Sequence, residues 1–170
     1  MTRPVVVLVG APGAGKSSVG TVLADLLKVP LRDVDSDIEA AQGRSISDIF
    51  TSDGEDYFRS LERAAVASAL AEHAGVLALG GGAVLDPETR DLLRGHRVVF
   101  LAVSMPQGVQ RSGMAANRPL LVGVNPRATF KSLLDARLPL YREVAVLEVD
   151  TDSRDVAEVA EVIVGELGLA

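Results

Sequence analysis

The chain has 170 residues, 48% of them hydrophobic and 24% charged, with a formal net charge of −6, a balance that suits one soluble domain with a real core. It contains no cysteine, which excludes disulfides, zinc–thiolate sites and thiol catalysis. Its basic residues are scattered, which argues against a nucleic-acid partner, and the absence of a signal or spanning segment leads us to expect a cytoplasmic protein with no membrane partner.

Pro4 to Val9 is a short apolar, β-branched run and reads as a buried parallel strand. Gly10-Ala11-Pro12-Gly13-Ala14-Gly15-Lys16-Ser17 follows at once and matches G-x-x-x-x-G-K-[ST] without a mismatch. Beyond it, Val19, Val22, Leu23, Leu26 and Leu27 keep helical spacing. A strand, a glycine-rich turn and a helix start make a phosphate cradle, and the alternative is a plain glycine-rich turn. Gly13, Ala14, Gly15, Lys16, Ser17 and Ser18 are the candidate nucleotide contacts. Lys16 offers a movable charge to β- and γ-phosphates, and the Ser17 hydroxyl is a hard ligand for Mg²⁺.

Leu31 to Asp35 reads as a second strand with an acidic end. While the chain stays extended, Asp33, Asp35 and Asp37 share one face, at the sheet edge that borders the ligand crevice. Two carboxylates there can hold a metal's water and accept a hydroxyl proton. The competing reading is helix capping, since Ile38 to Ala41 reads as helix; Asp37 is assigned to a cap or a solvated charge. Ser45 caps the next helix, with Asp48 in the capping-box position.

Glu55 to His73 forms a long amphipathic run, apolar at Phe58, Leu61, Ala65, Val66, Ala69 and Leu70. Arg59 near its start opposes the helix dipole, so it serves either a ligand or a salt bridge to Glu55 or Glu62. Val76 to Leu79 is the third strand, ending in Gly80-Gly81-Gly82, a bare backbone that something approaches closely. Asp86 and Pro87 open a helix, and Val98 to Val103 is the fourth strand. Gln107 to Arg111 reads as helix, and residues 112–123 show no period, as in a lid or binding loop, with Arg118 a candidate mobile cation. A helix over Arg127–Leu138, a strand over Val144–Val149 and a helix over Val156–Leu167 complete the alternation. His73 and His96 are read as solvated.

The motifs taken together resemble the shikimate kinase family over nearly the whole chain. Besides the P-loop, the resemblance is carried by Asp33-x-Asp35, Gly54-Glu55-x-x-Phe58-Arg59-x-x-Glu62, Leu79-Gly80-Gly81-Gly82-Ala83, Arg118-Pro119-Leu120-Leu121 and Arg137-x-Pro139-Leu140-Tyr141. It implies a three-layer α/β P-loop NTPase fold of the nucleoside-monophosphate-kinase type. The expected architecture is a single domain with a five-stranded parallel sheet in the order 2-3-1-4-5, flanked by helices. A substrate-binding helical subdomain is expected over residues 33–62 and a lid over residues 112–125. The implied reaction moves the γ-phosphoryl group of ATP, with Mg²⁺, to the 3-hydroxyl of shikimate, a step in chorismate and aromatic amino-acid biosynthesis. The expected oligomeric state is a monomer.

Carried over residue by residue, Asp35 would bind shikimate hydroxyls and help deprotonate the attacking one. Arg59 and Arg137 would clamp the carboxylate beside the Gly81 N–H, with Gly80, Gly82, Phe58 and Glu62 completing the substrate set. Arg118 would meet the transferring phosphate, which places it with Lys16 and Asp35 as catalytic. Arg111 would lie against adenine, and Arg154 would touch the nucleotide. Asp33 would hold Mg²⁺ through water beside Ser17, because the third strand ends in glycines where a standard Walker B strand carries an acid. The rival readings are a gluconate or nucleoside monophosphate kinase on the same scaffold, or a non-catalytic ATP-binding regulatory module. A GTPase would need N-K-x-D, which the chain lacks.

Overall fold

Successive residues of β1 (Val6–Val9) belong alternately to two cores, one on each face of a central sheet. The computed structural model describes residues 2–104 and 126–169. On one face Val6 and Leu8 pack with Val19 and Leu23 of α1 (Lys16–Leu27) and with Val159 and Ile163 of the last helix (Val156–Leu167). On the other, Val7 and Val9 meet Phe58 and Val66 of α4 (Glu55–Glu72), Leu93 of α5 (Pro87–Leu93) and Tyr141 of α6 (Pro126–Val144). The last helix is α7. A strand apolar on both faces requires cover on both, which gives three layers.

The remaining strands are β2 (Leu31–Asp33), β3 (Val76–Ala78), β4 (Val98–Ala102) and β5 (Leu147–Asp150). All pair in parallel in the order β2-β3-β1-β4-β5, the expected order. Val7 stands between Leu77 of β3 and Val98 of β4. Parallel register brings every strand's carboxyl end to one edge, where the P-loop leaves β1 and the glycine run leaves β3. Between β2 and α4 lie α2 (Val34–Gln42) and α3 (Ile46–Asp53).

Several local expectations are corrected. β2 stops at Asp33 because Asp33 caps α2, its Oδ1 accepting from the N–H groups of Asp35 at 2.8 Å and Ser36 at 3.3 Å. The three aspartates therefore do not share an extended face: Asp35 lies in the first turn of α2, and Asp37 pairs with Arg32 at 2.6 Å. α6 runs through Pro139 to Val144. A helical proline costs one backbone donor and some clash, here outweighed by burying Leu138, Leu140 and Tyr141 against the second core. β5 accordingly starts at Leu147, not at Val144. His73 is buried, with Nε2 2.9 Å from the Val76 carbonyl. His96 is half-buried, and burial together with nearby Arg3 pushes its pKa below the usual 6.5. The helix read over Gln107–Arg111 and the period-free loop lie outside the described residues.

The β2–β3 junction is closed at Gly75, where a Cβ would collide with the Pro30 carbonyl oxygen. That oxygen accepts from the Val76 N–H at 3.0 Å, so it cannot withdraw without losing a ladder bond. Gly75→Ala should destabilise the protein by roughly 1–3 kcal/mol. Gly165, in α7, has open space around its Cβ position, and Gly165→Ala should stabilise by about 0.5–1 kcal/mol. Urea midpoints check both; equal effects at the two sites would contradict the packing described.

Candidate active site

The phosphate cradle is visible as backbone geometry. Gly13 and Gly15 take φ values of +83° and +92°, in the left-handed region that favours glycine. Lys16 begins α1, and its ammonium folds back over the loop, 2.6 Å from the Gly10 carbonyl oxygen and 3.1 Å from that of Ala11. The helices α2, α3, α5 and α7 start with side-chain caps from Asp33, Ser45, Asp86 and Asp155. α1 has no such cap and no acid in its first turn. Its orphan N–H groups and the positive end of its dipole are thus open to an anion.

A cleft of about 500 Å³ extends from this loop. One wall runs from Gly13 through Ser18, with Lys16 and Ser17 among its members; the other is Thr151, Arg154, Asp155 and Val156. Arg154 is thus brought to the P-loop, its Nη1 donating to the Asp150 carbonyl at 3.0 Å. Sequence reasoning missed Thr151, Asp155 and Val156. The available signal was their position just past β5, on the same sheet edge.

The glycine run forms the second half of the site. A Cβ on Gly80 would lie 2.6 Å from Asp35 Oδ1 and 3.0 Å from Glu62 Oε2, and one on Gly82 would collide with the Arg59 guanidinium. On Gly81 it would come within 2.9 Å of Pro12 Cδ in the P-loop. Asp35, Arg59, Glu62 and both motif loops therefore converge on these three residues. The N–H groups of Gly81 and Gly82 donate to no acceptor among the described residues.

Charge in this half is heavily desolvated. Glu62 is 2% exposed and Arg137 3%. Arg59 Nη1 lies 2.7 Å from Glu62 Oε1, with the more exposed Glu55 at 3.2 Å. The guanidinium of Arg59 also rests 5.3 Å from the Phe58 ring centroid and 5.8 Å from that of Phe50, a cation–π arrangement. Phe58 itself is buried beneath the Arg59 guanidinium. Glu62 feels both arginines, yet burial wins and raises its pKa above the ordinary 4.5. Its Oε2 is buried and accepts no hydrogen bond. A buried and a half-buried guanidinium thus flank the buried Glu62 carboxylate, beside unused N–H donors, an arrangement able to pair with a further carboxylate. Arg111 and Arg118 lie outside the described residues.

Sheet order, together with a P-loop on the central strand, defines this protein as a P-loop kinase. Residues 12–168 match the family model for shikimate kinase. Among curated relatives, the shikimate kinase of Salinispora tropica is 60% identical over 157 residues, covering 92% of this chain and 93% of its own. That of Thermobifida fusca is 52% identical over 169 residues, covering 99% and 98%. A solved shikimate kinase from Acinetobacter baumannii, in complex with shikimate, superposes with a TM-score of 0.93 at 36% identity, covering 98% of this chain and 93% of that one. The chain belongs to the shikimate kinase family.

The raised pKa of Glu62 has a signed consequence. The folded protein holds that proton more tightly than the unfolded chain, so the contribution is fully present below pH 4.5 and is lost as pH rises through the raised value. Glu62→Gln cannot titrate. Urea unfolding across this window should show the wild type losing stability relative to the variant as pH rises; parallel profiles would contradict the shift.

Proposed function

We propose that this chain, an enzyme with shikimate kinase activity by its family, transfers the γ-phosphoryl group of ATP to the 3-hydroxyl of shikimate using the residues described above. The single observation that carries the reading is the meeting of the two half-sites at Pro12 and Gly81. It sets a phosphate cradle against an acid-binding pocket, as a transfer between two bound molecules requires.

In this reading the P-loop N–H groups, Lys16 and the uncapped start of α1 bind the phosphates, and Arg154 lies on the nucleotide wall. Arg59, Arg137 and the glycine-run N–H groups hold the shikimate carboxylate, which aims the ring hydroxyls toward Asp35. The attacking hydroxyl oxygen bonds to the γ-phosphorus, the bond to the β–γ bridging oxygen breaks, and ADP leaves. Asp35 accepts the hydroxyl proton. Mg²⁺ fits the donors present: the Ser17 side chain is exposed at the cradle, and the α2 cap uses only Oδ1 of Asp33. When bound, the ion offsets charge on the phosphates. Arg118, through its Arg118-Pro119-Leu120-Leu121 motif, and Arg111, through the family resemblance alone, enter the proposal toward the transferring phosphate and adenine. Residues 33–62, which comprise α2, α3 and the start of α4, form the proposed substrate-binding subdomain.

A coupled ADP-release assay with shikimate, gluconate, AMP and CMP as acceptors tests the proposal. Shikimate should be the acceptor turned over efficiently, and Lys16→Met should abolish transfer while the thermal melt stays intact. Arg59→Ala and Arg137→Ala should each weaken apparent shikimate binding by roughly 2–5 kcal/mol and leave the KM for ATP nearly unchanged. An equal rise in both KM values would assign these arginines to the core or to the nucleotide site.

A further inference from the structure

Tyr141 ends the Arg137-x-Pro139-Leu140-Tyr141 motif, yet it faces neither bound molecule in the reading above. It is 1% exposed, and its ring stacks on Phe100 of β4 with centroids 4.9 Å apart. Its hydroxyl donates to the Gly81 carbonyl oxygen, sixty positions away along the chain. Burial raises its pKa to about 12, while neighbouring Arg137 and Arg59 act the other way. The phenol is therefore a fixed donor at every working pH. Tyr141 and Arg137 stand one helical turn apart on α6, on the same face.

We propose that Tyr141 is a positioning residue for acid recognition, holding the 81–82 peptide in the orientation that presents the Gly82 N–H to the bound carboxylate. A trans peptide directs its C=O and N–H to opposite sides. With the Gly81 carbonyl drawn onto the Tyr141 hydroxyl, the Gly82 N–H is directed away from that hydroxyl. The turn around this peptide is closed by the Ala83 N–H on the Gly80 carbonyl at 3.1 Å, which fixes its ends but leaves the central 81–82 peptide able to flip. Among the described residues the Gly82 N–H is unused, and no side chain at Gly81 or Gly82 hinders the flip. Glycine backbone has wide freedom, so an unpinned peptide would sample orientations useless to an acid. Pro12 packs against the Cα side of Gly81, where an added Cβ would come within 2.9 Å of its Cδ. Because the same α6 face carries Arg137, one helix sets both the arginine and the peptide against the same ligand group. The inference rests on the proposed acid site, which the next experiment tests separately.

Tyr141→Phe keeps the ring stack and removes the hydroxyl, both as donor to Gly81 and as neighbour of the Arg137 guanidinium. Steady-state kinetics should show the KM for shikimate rising about tenfold, equivalent to ~1.4 kcal/mol, with the KM for ATP within twofold and kcat within threefold. Tyr141→Leu, which also loses the stack, should melt at a lower temperature than Tyr141→Phe but show a similar KM for shikimate. Arg137→Ala run alongside reports on the acid site itself. If Arg137→Ala raises the shikimate KM and Tyr141→Phe changes only the melting temperature, the positioning role is wrong and the acid site stands. If Tyr141→Phe raises both KM values together, the hydroxyl serves general packing and the role is likewise overturned. If Arg137→Ala leaves the shikimate KM unchanged, the acid-site reading fails and the positioning role fails with it.

Discussion

Two guanidinium groups drawn largely out of water, Arg137 fully and Arg59 in most part, are the constraint on which the rest of this structure depends. Taking a charge out of water costs several kcal/mol even after relaxation, and a partner offsets this only with good geometry. Arg59 and Arg137 share one buried carboxylate, Glu62, whose own raised pKa shows how far the pocket is desolvated. Other support comes from two aromatic rings under Arg59 and from Glu55 at the rim. Asp35 and Glu55 offset part of the arginines' charge, so in the proposed reading a protein with a net charge of −6 binds an anion by where these groups point. Affinity here depends on local convergence, not on the sign of the whole surface.

The fold supplies that convergence in two ways. Parallel strands deliver the P-loop and the glycine run to one edge, so the nucleotide and acid halves meet through Pro12 and Gly81 without long-range adjustment. Helix ends then divide the labour. α2, α3, α5 and α7 satisfy their starts with their own side chains, whereas α1 leaves its start open over the cradle. The three glycines are equally a matter of space: side chains at Gly80 and Gly82 would occupy the room taken by Asp35, Glu62 and Arg59. A single methyl group there would displace the groups that give the pocket its chemistry.

Much of this was legible in the sequence where the chemistry is contiguous. The P-loop, the glycine run, the Asp86-Pro87 helix start and the span of α7 are local patterns, and each appears where its pattern places it. Strand order is not local; it came from family resemblance and not from periodicity. The aspartates after β2 were misplaced because alternation holds only while the chain stays extended, and Asp33 ends the strand by capping the helix. Pro139 misled in the same way, since a local breaker signal was overridden by apolar neighbours that bury in the second core. The buried state of His73 and the Tyr141–Gly81 bond depend on contacts that only the assembled fold creates. Of the wall past β5, Arg154 was named through the resemblance, whereas Thr151, Asp155 and Val156 escaped for want of any motif.

The central claim, that the buried arginines and the glycine-run N–H groups form the recognition site for the substrate's carboxylate, is tested most directly by changing the ligand instead of the protein. Titration calorimetry on the nucleotide-free protein would compare shikimate with its neutral carboxamide, which keeps the ring and all three hydroxyls. Loss of two charge-assisted contacts at roughly 1.5–3 kcal/mol each predicts weaker carboxamide binding by at least about 100-fold. Carboxamide affinity within a few-fold of that of shikimate would contradict the account.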